Sequence, residues 1–228
     1  MAFWLVLSLA AWGLWALLCR VMNAGNPRED EGTALLVFGI RLYARFFHRM
    51  TIEGGGNIPN TREPGALIVV GNHTAGVDPF LVQAATWFEV RWMMGLDMMI
   101  PALNPVWAWA DVIGVNREGK DMAGTREAMR HVKRGKVLGI FPEGRIERPA
   151  GELLPFAPGA GFLIARSKAP VLPVWISGTP QAAEAWGSLY RRGRVRLVVG
   201  PLMHFPADAT PESVVQALEA WFRKTSGW

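Results

Sequence analysis

Half of the 228 residues are hydrophobic and the mean hydropathy is +0.16, which is high for a freely soluble domain and low for a polytopic membrane protein. A membrane-attached globular domain fits that balance. Lys and Arg total 24 against 19 acidic residues, a formal charge of +5 and a pI near 9.9, and this favours an anionic partner. Eleven Trp against two Tyr points to a membrane interface, and the single cysteine, Cys19, excludes an internal disulfide and a cysteine-based metal cluster.

From Met1 to Cys19 no side chain is charged, and Ala2 to Leu18 is almost wholly apolar. As a helix this run reaches about 28 Å, close to the roughly 30 Å hydrocarbon core of a bilayer. No basic residue precedes the run and no small-x-small site follows it, so it reads as an anchor in preference to a cleaved signal peptide. Arg20, Arg28, Arg41, Arg45 and Arg49 come next, which by the positive-inside rule predicts the remainder on the cytoplasmic side of the inner membrane.

Beyond Gly25-Asn26-Pro27, Thr33 to Met50 reads as a second helix with Leu36, Ile40, Tyr43, Phe47 and Met50 on one side and Arg41, Arg45 and Arg49 on another. That pattern suits a helix lying in an anionic interface, and equally a core-packing helix with a solvated basic face. Residues 1–52 are therefore expected to form a membrane-associating two-helix segment, and 53–228 the catalytic domain.

In the second part, apolar runs at 66–70, 90–94, 111–115, 137–141, 171–176 and 194–199 predict strands, the fifth despite Pro173. Helical patterns start at Asp78-Pro79, run from Asp121 to Arg134 and from Pro158 to Ser167, and resume at Thr210-Pro211 with Val214, Val215, Leu218, Trp221 and Phe222. Met98, Met99, Ile100, Trp107 and Trp109 supply an adaptable apolar surface between them. The alternation predicts an α/β domain with a mixed sheet flanked by helices, in which loops after strands gather at one edge.

Three such loops carry polar residues: His73 to Asp78, Asn116-Arg117 and Glu143 to Arg145. On one regular helix His73 and Asp78 would point about 140° apart, but a loop that folds back can bring the carboxylate to one imidazole nitrogen and leave the other as a general base. The alternative is that His73 satisfies loop backbone and Asp78 only caps the helix. His73, Asp78 and Glu143 are also a conceivable metal ligand set, without a second histidine placed near them.

Asn72-His73-Thr74-Ala75-Gly76-Val77-Asp78 and Phe141-Pro142-Glu143-Gly144-Arg145, with Gly114-Val115-Asn116-Arg117 between them and Val171-Leu172-Pro173-Val174 after, resemble in order and spacing the four motifs of the glycerolipid acyltransferases. This family includes 1-acylglycerol-3-phosphate acyltransferases. The resemblance implies transfer of an acyl group from an acyl-CoA or acyl carrier protein thioester to a lysophospholipid hydroxyl at a phospholipid membrane, with no metal, no further cofactor and no nucleic-acid partner. It implies His73 as base and Asp78 as its orienter. Asn72, Arg117, Glu143, Gly144 and Arg145 would be substrate-binding, the two arginines as a phosphate clamp and Glu143 on the acceptor. Where many relatives carry Phe-Lys-x-Gly, this chain has Phe156-Ala157-Pro158-Gly159 and lacks the lysine, leaving acceptors with other headgroups, including amino-acid ones, open. A non-catalytic lipid-binding protein that keeps the fold is the competing class.

Overall fold

The computed structural model describes residues 2–24, 26–28, 30–116, 122–146 and 151–227. Its strands are β1 (Thr51–Glu53), β2 (Leu67–Gly71), β3 (Arg91–Gly95), β4 (Ile113–Val115), β5 (Val137–Ile140), β6 (Val171–Ser177) and β7 (Arg196–Val199). They form one seven-stranded sheet in the order β1-β7-β6-β2-β5-β3-β4, with β6 and β7 antiparallel and every other pair parallel. The expected mixed sheet is therefore present.

Leu67 to Val70 explain why β2 is central. All four are at most 2 % exposed, and a continuous apolar run can be buried only in a strand covered on both faces. The helices are α1 (Ala2–Ala24), α2 (Glu31–Leu42), α3 (Asp78–Ala85), α4 (Asn104–Trp109), α5 (Ala123–Lys133), α6 (Pro158–Ser167) and α7 (Pro211–Ser226), of which α3 covers one face of β2 and α5, α6 and α7 the other. Alternation along the strands divides the core in two. Leu67 and Val69 join Leu172, Val174 and Ile176 of β6 against Leu81 and Val82 of α3. Ile68 and Val70 join Val171 and Trp175 against Val132 of α5, Leu163 and Ile164 of α6 and Val214, Leu218 and Phe222 of α7. Each such side chain contributes about 1.5–3 kcal/mol on burial.

Pro173 is tolerated inside β6 because the β7 ladder ends at Val174–Val199, so on that side no donor is required of it; its carbonyl still accepts the Gly200 N–H at 2.9 Å. Strand β1 has no counterpart in the sequence reading. Its three residues are all exposed, so it has no buried-face pattern, and it is recognised only by pairing with β7, where Arg196 meets Glu53 through two hydrogen bonds of 2.5 and 2.6 Å.

The N-terminal region corrects one expectation. Helix α2 runs into a π-turn, Tyr43–Phe47, in which the His48 N–H donates to the Tyr43 carbonyl five residues back. The wider turn breaks the four-residue arginine stripe. Arg41 donates to the Thr86 carbonyl at 2.9 Å and lies 4.8 Å over the Trp87 ring, whereas Arg45 and Arg49 are exposed. The buried side of this helix is Thr33, Ala34, Val37 and Ala44, and of the five apolar residues expected there only Met50 is buried. Leu35, Leu36, Leu42 and Phe46 face outward. Within α1, Phe3–Asn23 has mean hydropathy 1.9 and no buried residue, and its 21 residues reach about 31 Å, long and apolar enough to cross a membrane.

Two histidines outside the candidate site are held below the usual imidazole pKa by burial: His48, whose ring nitrogens have no hydrogen-bond partner among the described residues, and His131, whose Nε2 donates to the Val137 carbonyl at 3.1 Å. In both, folding favours the neutral ring, while the unfolded chain takes up protons below about pH 6.5, so stability is full above that pH and is lost as the pH falls through it. Thermal unfolding should therefore show Tm dropping between pH 7 and pH 5. His48→Leu removes one source of the slope. It loses ring contacts of about 0.5–1.5 kcal/mol each but relieves a buried unpaired group of about 1–3 kcal/mol, so stability at pH 8 should stay near that of the parent while the acid drop shrinks.

Candidate active site

The loop after β2 folds back because Asp78 pulls it. Its side chain is fully buried, and its carboxylate accepts the Thr74 N–H at 2.7 Å, the Ala75 N–H at 2.8 Å and the Thr74 hydroxyl at 3.0 Å. A buried carboxylate without such donors would cost several kcal/mol, so the loop is obliged to present them. In the alternative reading Asp78 only caps its own helix. It is instead the first residue of α3, with Pro79 next, and its carboxylate faces upstream into the loop.

The same carboxylate holds His73. Nδ1 lies 2.9 Å from Asp78 Oδ2, and since a carboxylate only accepts, Nδ1 carries the proton and donates. Nε2 is left with its lone pair, has no hydrogen-bond partner among the described residues, and belongs to a side chain that is 18 % exposed. The imidazole is also clamped face to face. Phe141 stacks on it with centroids 4.2 Å apart and planes 9° from parallel, and Trp92 stacks on Phe141 at 4.6 Å and 11°. Gly139 makes room for this column, because a Cβ there would come within 2.6 Å of the Trp92 ring. Further support comes from Thr179, whose hydroxyl donates to the Thr74 hydroxyl at 2.7 Å.

Glu143 and His73 are brought together because β2 and β5 are parallel neighbours and both loops leave at the carboxyl edge. Glu143 Oε1 accepts the His73 N–H at 3.0 Å and Oε2 accepts the Leu154 N–H at 3.3 Å; the residue is 7 % exposed. Its carboxylate thus fixes the backbone of the histidine, a role the sequence did not suggest. Gly144 and Arg145 follow it into solvent, and Arg145 makes no ion pair among the described residues. Arg117 lies outside the described residues. The strand that leads to it, β4, ends on the same edge three strands from β2, a separation of about 14 Å at ordinary strand spacing.

Asn72, expected to touch substrate, does something else. It is fully buried, with Nδ2 donating to the Ile176 carbonyl at 2.9 Å and Oδ1 accepting the Ile176 N–H at 2.7 Å. Each end of the amide makes one bond that ties the end of β2 to β6, and the side chain is sealed from solvent. Phe141, Trp92 and Thr179 escaped sequence reasoning because each acts through a neighbour distant in the chain, and Thr74 because its role appears only once the loop folds back onto Asp78. The only available signals were the aromatic at the head of the Glu143 loop and the glycine opposite Trp92.

An imidazole oriented by a buried carboxylate at the carboxyl edge of a mixed α/β sheet is the arrangement of a general-base site. The sequence model of the acyltransferase family matches residues 49–177, more than half of the chain, and the chain belongs to that family. It is similar to the 1-acyl-sn-glycerol-3-phosphate acyltransferase of Borreliella burgdorferi, with 31% identity over 58% of this chain and 52% of that protein. It is also similar to the enzyme of the same name from Limnanthes douglasii, with 27% identity over 68% and 55%. The chain thus spans about half the length of the curated relatives it matches. The crystal structure of the 1-acyl-sn-glycerophosphate acyltransferase PlsC from Thermotoga maritima superposes with a TM-score of 0.69 at 22% identity over 87% of this chain and 82% of that one, a likeness of fold.

Asn72→Ala should expose the structural nature of that residue. It strands a buried N–H and a buried carbonyl on Ile176, which costs about 1–3 kcal/mol for each group. Urea unfolding should show the midpoint falling with the m-value unchanged.

Proposed function

We propose that the protein transfers an acyl group from a thioester, on CoA or acyl carrier protein, to the free hydroxyl of a lysophospholipid, with 1-acyl-sn-glycerol-3-phosphate as acceptor and phosphatidic acid as product. The observation that carries this reading is the His73–Asp78 pair, with Nδ1 bound at 2.9 Å and Nε2 unbonded among the described residues, inside a chain that belongs to the acyltransferase family. In the reaction Nε2 takes the proton of the acceptor hydroxyl as its oxygen adds to the thioester carbonyl. The tetrahedral adduct then expels the thiolate, the imidazolium returns its proton to the sulfur, and an ester replaces the thioester. Asp78 keeps the ring in the required tautomer and stabilises its positive charge while the proton is held. No acyl-enzyme is needed, and Cys19 lies in α1, far along the chain from the site.

Arg145, exposed beside the Glu143 loop, and Arg117 would hold the acceptor phosphate, since guanidinium matches phosphate oxygens bidentately. Ala157 stands where a lysine would have added a further contact, and its N–H is used on the Pro142 carbonyl at 2.7 Å. The acceptor's charge therefore falls to the arginines. Helices α1 and α2 would hold the catalytic domain, from residue 53 onward, at the cytoplasmic face of the inner membrane, a reading supported by the unburied apolar surface of α1 and by outward-facing Leu35, Leu36, Leu42 and Phe46.

The test is acyl transfer by detergent-purified protein from palmitoyl-CoA, oleoyl-CoA and acyl carrier protein thioesters to a panel of lysophospholipids that includes amino-acid headgroups. His73→Ala should lower kcat by about 10²–10⁴-fold, the usual worth of a positioned base. Asp78→Asn should lower it severely as well, and Arg145→Ala should mainly raise the KM for lysophosphatidic acid. Unchanged turnover in His73→Ala would overturn the mechanism. Failure with every donor and acceptor would favour a lipid-binding role.

A further inference from the structure

A polar concavity lies beside the His73 loop, where Thr179 in its wall donates to Thr74. The end of the π-turn, the segment after β6 and the turn before β7 enclose about 360 Å³, lined by Arg49, Arg192 and Arg194 with Gly178, Thr179 and Gly193. It is on the β6–β7 side of β2, opposite the β5 side that carries Arg145.

The three guanidinium groups have no carboxylate partner among the described residues, whereas Arg28, Arg91 and Arg196 all sit in ion pairs. All three residues line the hollow and are exposed, the Arg192 guanidinium lying 5.7 Å over the Phe47 ring, and an anion placed among like charges relieves their mutual repulsion. Arg49 is held there at φ +47°, a left-handed conformation natural to glycine and costly for a residue with a side chain. Behind the wall is an unused polar group. His48 is fully buried, neither of its ring nitrogens is hydrogen-bonded among the described residues, and Nδ1 is 3.1 Å from where a Cβ on Gly193 would stand. Buried polar groups are nearly always paired, so a bare imidazole nitrogen behind a gap left by glycine is a departure from the rule.

We infer that this concavity binds a phosphate ester through Arg49, Arg192 and Arg194. A carboxylate offers two oxygens in one plane, whereas a phosphoryl group offers oxygens in a tetrahedral array that guanidinium forks can grip from several directions, as chain positions 49, 192 and 194 require. The ester is either an anionic lipid headgroup or a phosphate of a soluble nucleotide such as CoA. Occupancy is placed to be felt at the catalytic pair, because Thr179 lines the hollow and its hydroxyl donates to Thr74, which donates to Asp78. The inference is about binding and stands without the acyl-transfer reading.

The experiment titrates the full-length protein in mild detergent with dihexanoyl-phosphatidylglycerol and, separately, with coenzyme A, by calorimetry. The site variant is Arg49→Gln/Arg192→Gln/Arg194→Gln. The control, Arg126→Gln/Arg130→Gln/Lys133→Gln on α5, removes the same charge from another surface. Loss of at least about tenfold in affinity for either probe in the site variant, with the control much nearer the parent, supports the site, and the probe affected identifies the source. Equal behaviour of the two variants toward both probes, or no binding of either probe by the parent, overturns it. Should the triple variant fail to fold by circular dichroism, Arg192→Glu alone carries the same comparison.

Discussion

The fold around the site depends on one buried charge. Asp78 is fully sealed from solvent, and a sealed carboxylate is stable only when donors surround it. Two backbone N–H groups and the Thr74 hydroxyl meet that demand and so bend the chain between β2 and α3 into one shape. His73 is the fourth donor. Its orientation is a by-product of satisfying the carboxylate, which is why a structural necessity and a chemical capability reside in the same few atoms.

Around that centre the parallel sheet acts as a jig. Because β2 and β5 are parallel neighbours, their loops leave at the same edge, and Glu143 can seize the backbone N–H of His73 from a chain position 70 residues away. Asn72 locks the other flank by joining the end of β2 to Ile176. The stack of Trp92, Phe141 and His73 then removes the remaining freedom of the ring plane. Three independent restraints, two on the backbone around it and one on its ring, thus fix the place of His73.

The N-terminal helices obey a different economy. The outward residues of α1 and much of α2 are apolar, an arrangement that water disfavours and a lipid surface rewards. Yet α2 is not a loose accessory. Ala34, Val37 and Ala44 are buried, and Arg41 reaches the carbonyl of Thr86 just beyond α3. The π-turn that ends α2 lets one face join the domain while Arg49 is delivered to a basic hollow beside β6.

Much of this was legible from residue chemistry alone. The apolar runs of β2, β5 and β6, the Thr210-Pro211 start of α7 and the spacing of His73 from Asp78 are local patterns, set by how few environments those side chains tolerate. What escaped was everything fixed by partners far along the chain. Strand β1 is exposed on all its residues and exists only because β7 lies beside it. The arginine stripe was real as spacing, but a five-residue turn rotated it out of register. Asn72 and Glu143 belonged to recognisable motifs, yet whether an amide or a carboxylate faces a ligand or the backbone depends on which donors packing brings to it, and packing is a property of the assembled sheet.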